Sequence, residues 1–470
     1  MYDTFENPFE TRYSSAEMKK LFSQDTKFGL WRRLWLALAA AQKRLGLPIT
    51  DEQLDEMKAH LNDINYDVAE AREKLTHHDV MAHIHAFGEQ CPKAKPIIHL
   101  GATSCFVGDN ADLIIIYRAL DLVAREMREV VEVLAQKALE YADVPTLAFT
   151  HLQPAQLTTV GKRIALYLQD LKSDLEDILS VQKNFKLRGA KGTTGTQASY
   201  IKLFDGDESK VFELDRLVAE QMGFSATFSV TGQTYPRKFD YKILSLLSGV
   251  AQSCAKFAND LRLLQSKNEI SEPFGKDQVG SSAMAYKRNP ILAERICSLA
   301  RYTVSLPANC AATASVQWFE RTLDDSANRR IVLAEGFLSV DAILLLMKKI
   351  ASGLVVNQKV IENHVLAELP FMATEALLMR CVKAGGDRQV LHEVIRRHSV
   401  AVAEEINEKG IANDLFARLK NDAAFKAFEH CFEDKLDSRE YIGLAQRQTE
   451  IFVQNEVLPF LSELNGRESK

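Results

Sequence analysis

Apolar residues recur at alternating steps of three and four along four long stretches of the chain, which is the spacing of one helix face. The stretches run from Leu113 to Leu134, from Ile164 to Ile178, from Leu247 to Leu261 and from Leu333 to Leu354. Charged residues occupy the other faces, and the alternation typical of half-buried strands is scarce. The pattern predicts an all-α protein whose middle is a bundle of long helices.

Shorter helical patterns flank this bundle. Turn residues at Gly46–Pro48 precede it, and Pro370 and the pair Gly385–Gly386 interrupt the pattern that follows it. The long apolar seams have too few neighbours within one chain, so we expect several copies to pool their helices in an oligomer. The predicted division is an N-terminal helical domain over residues 1–103, the central long-helix bundle over 104–356 and a C-terminal helical domain over 357–470.

The bulk composition shows no bias toward membranes or nucleic acids. The 470 residues carry a formal charge of −5, with 46 % hydrophobic and 26 % charged residues. An acidic balance argues against nucleic-acid binding, and no apolar run approaches membrane-spanning length. The seven cysteines are scattered without a Cys-x-x-Cys pair, which favours reduced thiols over disulfides or a zinc site. Because the N-terminus lacks the apolar segment of a secretion signal, we expect a cytoplasmic protein.

The polar stretch at 280–290 is the most informative part of the chain. Ser281 and Ser282 are small, polar and preceded by glycine, which predicts a loop, and Lys287 and Asn289 follow at close range. A cation, an amide and hydroxyl groups on a flexible segment can close over an anionic substrate as a lid. The alternative is an ordinary surface loop with a basic end.

A second polar stretch, from Thr150 to Gln156, lies between the first two long helical patterns. It places His151 close to two glutamines, and Pro154 predicts the start of the next helix. A histidine in this place can exchange a proton with a substrate. The alternative is a histidine that only caps a helix or fills the core, which is the commoner situation for a single histidine near a helix start.

Histidines also cluster within residues 77–85, next to Asp79. His83 and His85 diverge on a helix, and no cysteine or glutamate completes a metal-ligand pattern, so we predict no metal site. Imidazoles at the start of a helix, such as that of His78, instead suit an anionic ligand because the helix dipole is positive there.

Two further motifs carry groups that could bind oxyanions. The hydroxyls of Thr103 and Ser104 precede the first long helix, where they either cap it or donate to a carboxylate. The charge-dense run that contains Arg321, Ser326 and Arg330 is either a solvated face or a clamp for a phosphate or carboxylate.

The spacing Gly-Ser-x-x-Met-x-x-Lys-x-Asn at Gly280–Asn289 resembles the signature of the fumarase/aspartase superfamily, with Ala285 where most members carry proline. Other motifs resemble the adenylosuccinate lyase family within it, in the branch found in animals and some bacteria. The resemblance runs from about residue 10 to near the C-terminus. These motifs are Arg12–Tyr13, His78–His83, Ile98–Ser104, Thr231–Tyr235, Ser281–Met284 and Ser315–Arg330.

The resemblance implies the three-domain, all-helical fold of that superfamily, assembled as a homotetramer whose active sites each draw residues from three subunits. It implies cleavage of adenylosuccinate to AMP and fumarate, and of the related carboxamide ribotide SAICAR to AICAR and fumarate, in purine biosynthesis. The reaction passes through a carbanion beside a carboxylate, and it requires no metal and no other cofactor.

The resemblance also assigns roles to individual residues. Ser281 corresponds to the general base and His151 to the general acid that protonates the leaving nitrogen, while Lys287 and Asn289 hold the succinyl carboxylate and His78 assists. A neutral serine is a poor base, so Lys287 and nearby backbone amides must stabilise its alkoxide once the lid excludes water. The substrate-binding positions are Arg12, Tyr13, His77, His78, Asp79, Thr103, Ser104, Gln233, Arg295, Arg321, Ser326 and Arg330.

One substrate-binding position departs from the family pattern. His77 replaces an arginine that is usual in close relatives, which exchanges a permanent charge for a titratable one. We therefore expect phosphate affinity to depend on pH below neutrality.

Two alternatives stay open at this point. One is another fumarate-releasing lyase of the superfamily, such as an argininosuccinate lyase, although Arg12–Tyr13 and the arginines of 321–330 suit a nucleotide phosphate better. The other is a non-catalytic helical scaffold derived from the fold, although a scaffold does not need the combination of Ser281 and His151.

Overall fold

The structure is a computed structural model that describes residues 3–433 and 435–468, and the described chain is mostly helical. The helices before the first strand are α1 (Ala16–Leu21), α2 (Gln24–Arg44), α3 (Asp51–Ala59), α4 (Tyr66–Thr76), α5 (Asp79–Gln90) and α6 (Ser104–Glu140). The next four are α7 (Val160–Lys183), α8 (Ala198–Leu203), α9 (Glu208–Gln221) and α10 (Lys238–Ser266). The remaining α-helices are α11 (Ile291–Ser305), α12 (Pro307–Ser315), α13 (Asp325–Ser352), α14 (Gln358–Met372), α15 (Thr374–Lys383), α16 (Arg388–Lys409), α17 (Leu415–Asn421), α18 (Ala445–Phe452) and α19 (Leu458–Glu468).

Short helical turns and two small sheets complete the described secondary structure. The sheets are β1 (Pro145–Thr150) paired antiparallel with β2 (Gln153–Thr159), and β3 (Ile270–Ser271) paired antiparallel with β4 (Val355–Val356). The turns are π-helical at Phe9–Tyr13 and Val453–Val457 and 3-10 helical at Ala423–Cys431 and Ser438–Tyr441. Among the helices of the described residues, none combines the length and apolar character needed to cross a membrane.

The all-α class and the four predicted long helices are confirmed. The apolar seams fall in α6, α7, α10 and α13, and only Leu354 lies beyond the end of its helix. Leu120, Leu171, Leu247 and Phe337, one from each seam, are at most 1 % exposed. Burial of one apolar stripe along each helix is the main stabilising contribution to such a bundle.

Two predicted helix boundaries are wrong. Pro154 does not begin a helix: it lies in β2, opposite Phe149, and α7 starts only at Val160. The β1–β2 pairing shifts register next to this proline, and such irregularities accommodate a residue without an N–H. Pro370 does not end a helix either, because α14 continues through it to Met372.

The described chain divides into two compact units. The long helices α6, α7, α10 and α13 each supply residues to both units. The predicted three-domain division follows other boundaries and stays a prediction. Unit 1 contains the described residues up to Met127, Ser173–Ala255 and Arg295–Leu346, and unit 2 contains Arg128–Lys172, Lys256–Glu294 and the described residues from Met347 onward.

Aromatic packing joins α5 to α2 within unit 1. The ring of His83 stacks on Phe28 with ring centroids 3.7 Å apart, and it meets Trp31 edge to face at 5.5 Å. Burial, helped by the nearby charge of Arg32, lowers the pKa of His83 to about 4, so this ring is neutral at physiological pH. His83 is therefore a core residue that fixes the start of α5, where His78 and Asp79 lie.

Candidate active site

A cleft of about 650 Å³ lies in unit 1. Its walls come from α2, α5, α6 and α13 and from the segment that leads into α13. Three separate sequence motifs meet here. The predicted substrate-binding residues in its wall are Asp79 and Ser104, the first residues of α5 and α6, with Arg321, Ser326 and Arg330.

A network of buried ion pairs supports this cleft. Arg237 donates from Nη2 to Asp109 at 3.0 Å and from Nε to Asp325 at 2.6 Å, and Asp325 also accepts from Nη1 of Arg321 at 2.8 Å. Burial opposes the ionisation of Asp109, but Arg237 and other guanidinium groups hold its pKa below the usual value. Asp325 and Arg329 are buried, so the run from 321 to 330 is not a solvated face throughout, although Arg330 is exposed. The network orients Arg321 and leaves its side chain 21 % exposed.

His77 and His78 occupy the junction between α4 and α5. His77 adopts a left-handed conformation, with φ 52°, and its N–H donates to Glu73 O at 2.7 Å at the end of α4. His78 caps α5, because its Nδ1 accepts from the N–H of Met81 at 3.2 Å. That hydrogen bond leaves Nε2 to carry the proton of the neutral ring. The predicted position of the His78 imidazole at a helix start is therefore confirmed, whereas His77 lies at the end of α4.

The N-terminal arm carries Arg12 and Tyr13 in its π-helical turn. The guanidinium carbon of Arg295 lies 5.6 Å from the ring centroid of Tyr13, so these two predicted residues are neighbours. The arm is fastened just after the turn, where the backbone N–H and the hydroxyl of Ser15 both donate to the buried carboxylate of Asp341 at 2.6 Å. These contacts hold Tyr13 against α11.

Gln233 contacts Cys105, a residue that lines the cleft. The thiol of Cys105, which lines the cleft, donates to Oε1 of Gln233 at 3.6 Å. The carbonyl of Gln233 accepts from Nε of Arg188 at 2.7 Å, and its N–H donates to Glu320 O at 3.0 Å. Thr103 directly precedes α6, and its carbonyl accepts from the N–H of Phe106 at 2.8 Å.

His151 stands at the tip of the β1–β2 hairpin in unit 2. Its φ is 52° and that of Leu152 is 60°, so both residues of the two-residue turn are left-handed. Such turns normally contain Asn-Gly, because a positive φ is sterically unfavourable for most other residues. Two consecutive non-glycine residues at positive φ therefore form a strained turn, and it leaves His151 exposed.

The loop between β3 and α11, also in unit 2, carries Ser281, Lys287 and Asn289. Oγ of Ser281 accepts from the backbone N–H groups of Ala283 at 3.3 Å and Met284 at 3.1 Å. Nδ2 of Asn289 donates to the carbonyl of Gly280 at 2.8 Å, which folds the loop back on itself. The segment forms neither helix nor strand, as predicted, and Lys287 is exposed.

The structure thus collects the predicted residues into separate groups. Among the described residues, no hydrogen bond or ion pair joins His151 to the loop of Ser281. The cleft and the N-terminal arm belong to unit 1, whereas the hairpin tip and the loop belong to unit 2.

Sequence reasoning missed a buried carboxylate at the base of the loop. Glu272 is 3 % exposed and accepts from the N–H of Leu292 at 3.1 Å and of Ala293 at 2.9 Å, in the first turn of α11. Burial raises its pKa, against the effect of these hydrogen bonds. The carboxylate thereby ties the residue before the loop to the helix after it. A lone glutamate in the sequence gives no signal of such a contact.

Other cleft residues were also missed. Lys27, Asp112 and Arg237 line the cleft, yet none of them belongs to a motif named above. Arg329 also lines it and lies within the Ser315–Arg330 motif, but the motif gave it no role. Their partners are distant in sequence, so only the fold brings them together.

Comparison with known proteins places the chain in a family. A family model described as "Lyase" matches residues 17–304, and one described as "Adenylosuccinate lyase C-terminus" matches residues 370–452. The chain is 49 % identical to the adenylosuccinate lyase of Saccharomyces cerevisiae over 476 residues, covering 100 % of this chain and 99 % of that protein. The chain belongs to the adenylosuccinate lyase family. The adenylosuccinate lyase of Schistosoma mansoni is 47 % identical, over 97 % of this chain and 96 % of that protein.

Solved structures agree on the fold. The 3-carboxy-cis,cis-muconate lactonizing enzyme from Pseudomonas putida superposes with a TM-score of 0.83 at 23 % identity, covering 95 % of this chain and 98 % of that one. At this identity the likeness concerns the fold alone. Membership of the adenylosuccinate lyase family, by contrast, disfavours both the argininosuccinate lyase alternative and the inert scaffold.

Proposed function

We propose that the chain cleaves adenylosuccinate to AMP and fumarate, and SAICAR to AICAR and fumarate, by β-elimination. The observation that carries this proposal is the 49 % identity to a yeast adenylosuccinate lyase along the whole chain. The cleft adds support, because two arginines and two hydroxyl groups among its lining residues suit a phosphate-bearing substrate.

Ser281 acts as the general base. Its alkoxide removes the proton from the succinyl carbon beside the carboxylate, and the electron pair left behind forms the double bond of fumarate as the carbon–nitrogen bond breaks. The amides of Ala283 and Met284 donate to Oγ, and this supports the role because such donors stabilise negative charge on oxygen.

His151 acts as the general acid and gives its proton to the departing nitrogen. Lys287 and Asn289 hold the succinyl carboxylate while charge accumulates on it, after Asn289 exchanges its bond to Gly280 for one to the substrate. His78 assists near the phosphate or the leaving group, with Nε2 free to donate.

The substrate phosphate binds in the cleft of unit 1. Arg321 and Arg330 supply charged donors and Ser326 a hydroxyl, at the positively polarised start of α13. The other residues assigned to substrate binding are Arg12, Tyr13, His77, Asp79, Thr103, Ser104, Gln233 and Arg295.

The chain works as a homotetramer in which each active site takes residues from three subunits. Exposed apolar side chains on the long helices support this assembly, with Leu166 55 % exposed on α7 and Leu263 48 % exposed on α10. Within such an assembly, residues that lie in separate groups of one chain can meet residues of another.

An ultraviolet absorbance assay tests the proposal. Purified protein is incubated with adenylosuccinate, with SAICAR and, as the control, with argininosuccinate, and fumarate is measured in parallel. We expect fumarate from the first two substrates only. Fumarate from argininosuccinate alone, or from none of the three, would contradict the proposal.

A further inference from the structure

Lys27 on α2 is a cation of the cleft that no motif singled out. Its side chain reaches the cleft wall across the aromatic rings of its own helix, with Nζ 5.1 Å from the ring centroid of Trp31 and 5.3 Å from that of Phe28. The ammonium group of such a lysine has lost part of its hydration. Its contact with the ring faces only partly offsets the free-energy cost of that loss.

The other cations in the described wall of the cleft each have a carboxylate partner. Arg237 and Arg321 share Asp325, and Arg330 lies 3.4 Å from Asp79. Arg329 likewise pairs with two aspartates, Asp112 at 3.3 Å and Asp240 at 2.6 Å.

Lys27 differs from these arginines. Among the described residues, its ammonium makes neither a hydrogen bond nor an ion pair, although Asp112 and Asp79 are close enough to act on it electrostatically. Burial is the larger effect and lowers its pKa from the ordinary lysine value. Lys27 is half-buried, and N–H donors in a partly desolvated place without a hydrogen-bond acceptor are costly. An incoming oxyanion reduces that cost.

We propose that Lys27 is a further substrate-binding residue, which donates to the phosphate of the nucleotide beside Arg321, Ser326 and Arg330. This assignment rests on the proposed function and adds one residue to its phosphate site. A phosphomonoester dianion has three terminal oxygens, which can accept from an ammonium, two guanidinium groups and a hydroxyl together. A planar carboxylate has only two oxygens and would leave donors unused.

Direct binding measurements test this role. AMP and inorganic phosphate are titrated calorimetrically into the full-length protein and into Lys27→Met, which keeps the length and apolar stem of the side chain. We expect the Kd of both ligands to rise about tenfold or more, since a charge-assisted hydrogen bond is lost. Lys27→Arg should restore most of the affinity because it restores a charged donor.

The matched control is Lys20→Met, which removes the same charge from an exposed position on α1. It should leave both dissociation constants within about twofold, because a surface charge contributes little. In turnover assays Lys27→Met should raise KM for adenylosuccinate far more than it lowers kcat.

Several results would overturn the assignment. Unchanged AMP and phosphate affinity in Lys27→Met would remove Lys27 from the site, and so would an equal loss in Lys20→Met. Weaker binding of fumarate with unchanged phosphate binding would place a carboxylate there instead. If Lys27→Met fails to fold, Lys27→Gln takes its place in the same titrations. AMP binding is measured without turnover, so failure of the proposed reaction would be visible separately.

Discussion

Oγ of Ser281 accepts the backbone N–H of Met284 at 3.1 Å. A hydroxyl that already accepts from the backbone becomes a stronger acid, because the same donors stabilise its alkoxide. We therefore expect Ser281→Ala to lower kcat by roughly 10²–10⁴-fold, the usual contribution of general acid–base catalysis, while the elution volume of the protein stays unchanged. Steady-state assays with size-exclusion chromatography measure both.

Ser282→Ala is the matched control for this substitution. It removes a hydroxyl group from the neighbouring residue. Among the described residues, the hydroxyl of Ser282 makes no hydrogen bond. Its activity should stay within a few-fold of the parent. Near-normal activity of Ser281→Ala would remove the role given to Ser281.

His151→Ala should abolish turnover to a similar extent, because no other proton donor occupies the hairpin tip. The hairpin itself should survive, since its register depends on the β1–β2 pairing rather than on the imidazole. Measurement of kcat against pH would show loss of the alkaline limb in the residual activity, because that limb reports deprotonation of the general acid.

Leu152→Asn serves as the control for His151. Asparagine adopts a left-handed conformation more readily than leucine, so the strained turn should be relieved by up to about 1 kcal/mol. We expect a slightly higher Tm by calorimetry. If His151→Ala kept full activity while Leu152→Asn lost it, the role of the tip would be steric rather than acid–base.

Ala285→Pro should be tolerated and should stabilise the loop slightly. The N–H of Lys287 donates to the carbonyl of Met284 at 3.1 Å, so residues 284–287 form a β-turn with Ala285 at its second position. Proline is favoured there, and it restricts the unfolded chain, which is worth about 0.4–1 kcal/mol. Thermal unfolding and kcat measure the effect. Collapse of the fold would show this description of the turn to be wrong.

Stability should fall in acid because of His83. Its folded-state pKa of about 4 lies below the ordinary value of 6.5, so the unfolded chain binds the extra proton first. The stabilisation is complete above about pH 6.5 and is lost as the pH falls toward 4, by at most about 3 kcal/mol. Urea denaturation at pH 4.5, 5.5 and 7.5 measures the change, because the first two pH values lie inside this window and the third lies above it.

His83→Gln should flatten that slope, because no imidazole remains to be protonated. His392→Gln removes an exposed histidine on α16 and should leave the slope unchanged. Equal slopes in the parent and in His83→Gln would assign the acid sensitivity to other groups.

The long helices could be predicted from the sequence because their burial is periodic. Leu120 and Leu247 lie on stripes that repeat with the helix, and the glycines at 385–386 do separate α15 from α16. The β1–β2 hairpin could not be predicted in the same way, since Pro154 is equally compatible with the first turn of a helix. Its pairing with Phe149 depends on a neighbouring strand that short-range patterns do not specify.

The candidate site was predictable only where motifs carry it. The run from Arg321 to Arg330 was found as a motif, but its partner Arg237 lies 88 residues from Asp325 in sequence, and such a pair has no local signature. Lys27 and Glu272 were missed for the same reason, since each gains its importance from burial and from neighbours far along the chain.

The carboxylate of Glu272 closes the base of the loop that carries Ser281. Because its base is closed, the two ends of the loop stay together even when the conformation of its tip changes. A single protease cut near Ser282 would therefore leave both halves docked, and the nicked protein would keep its thermal transition while the tip lost its shape. The tip can also change in length or sequence between relatives without unravelling the first turn of α11.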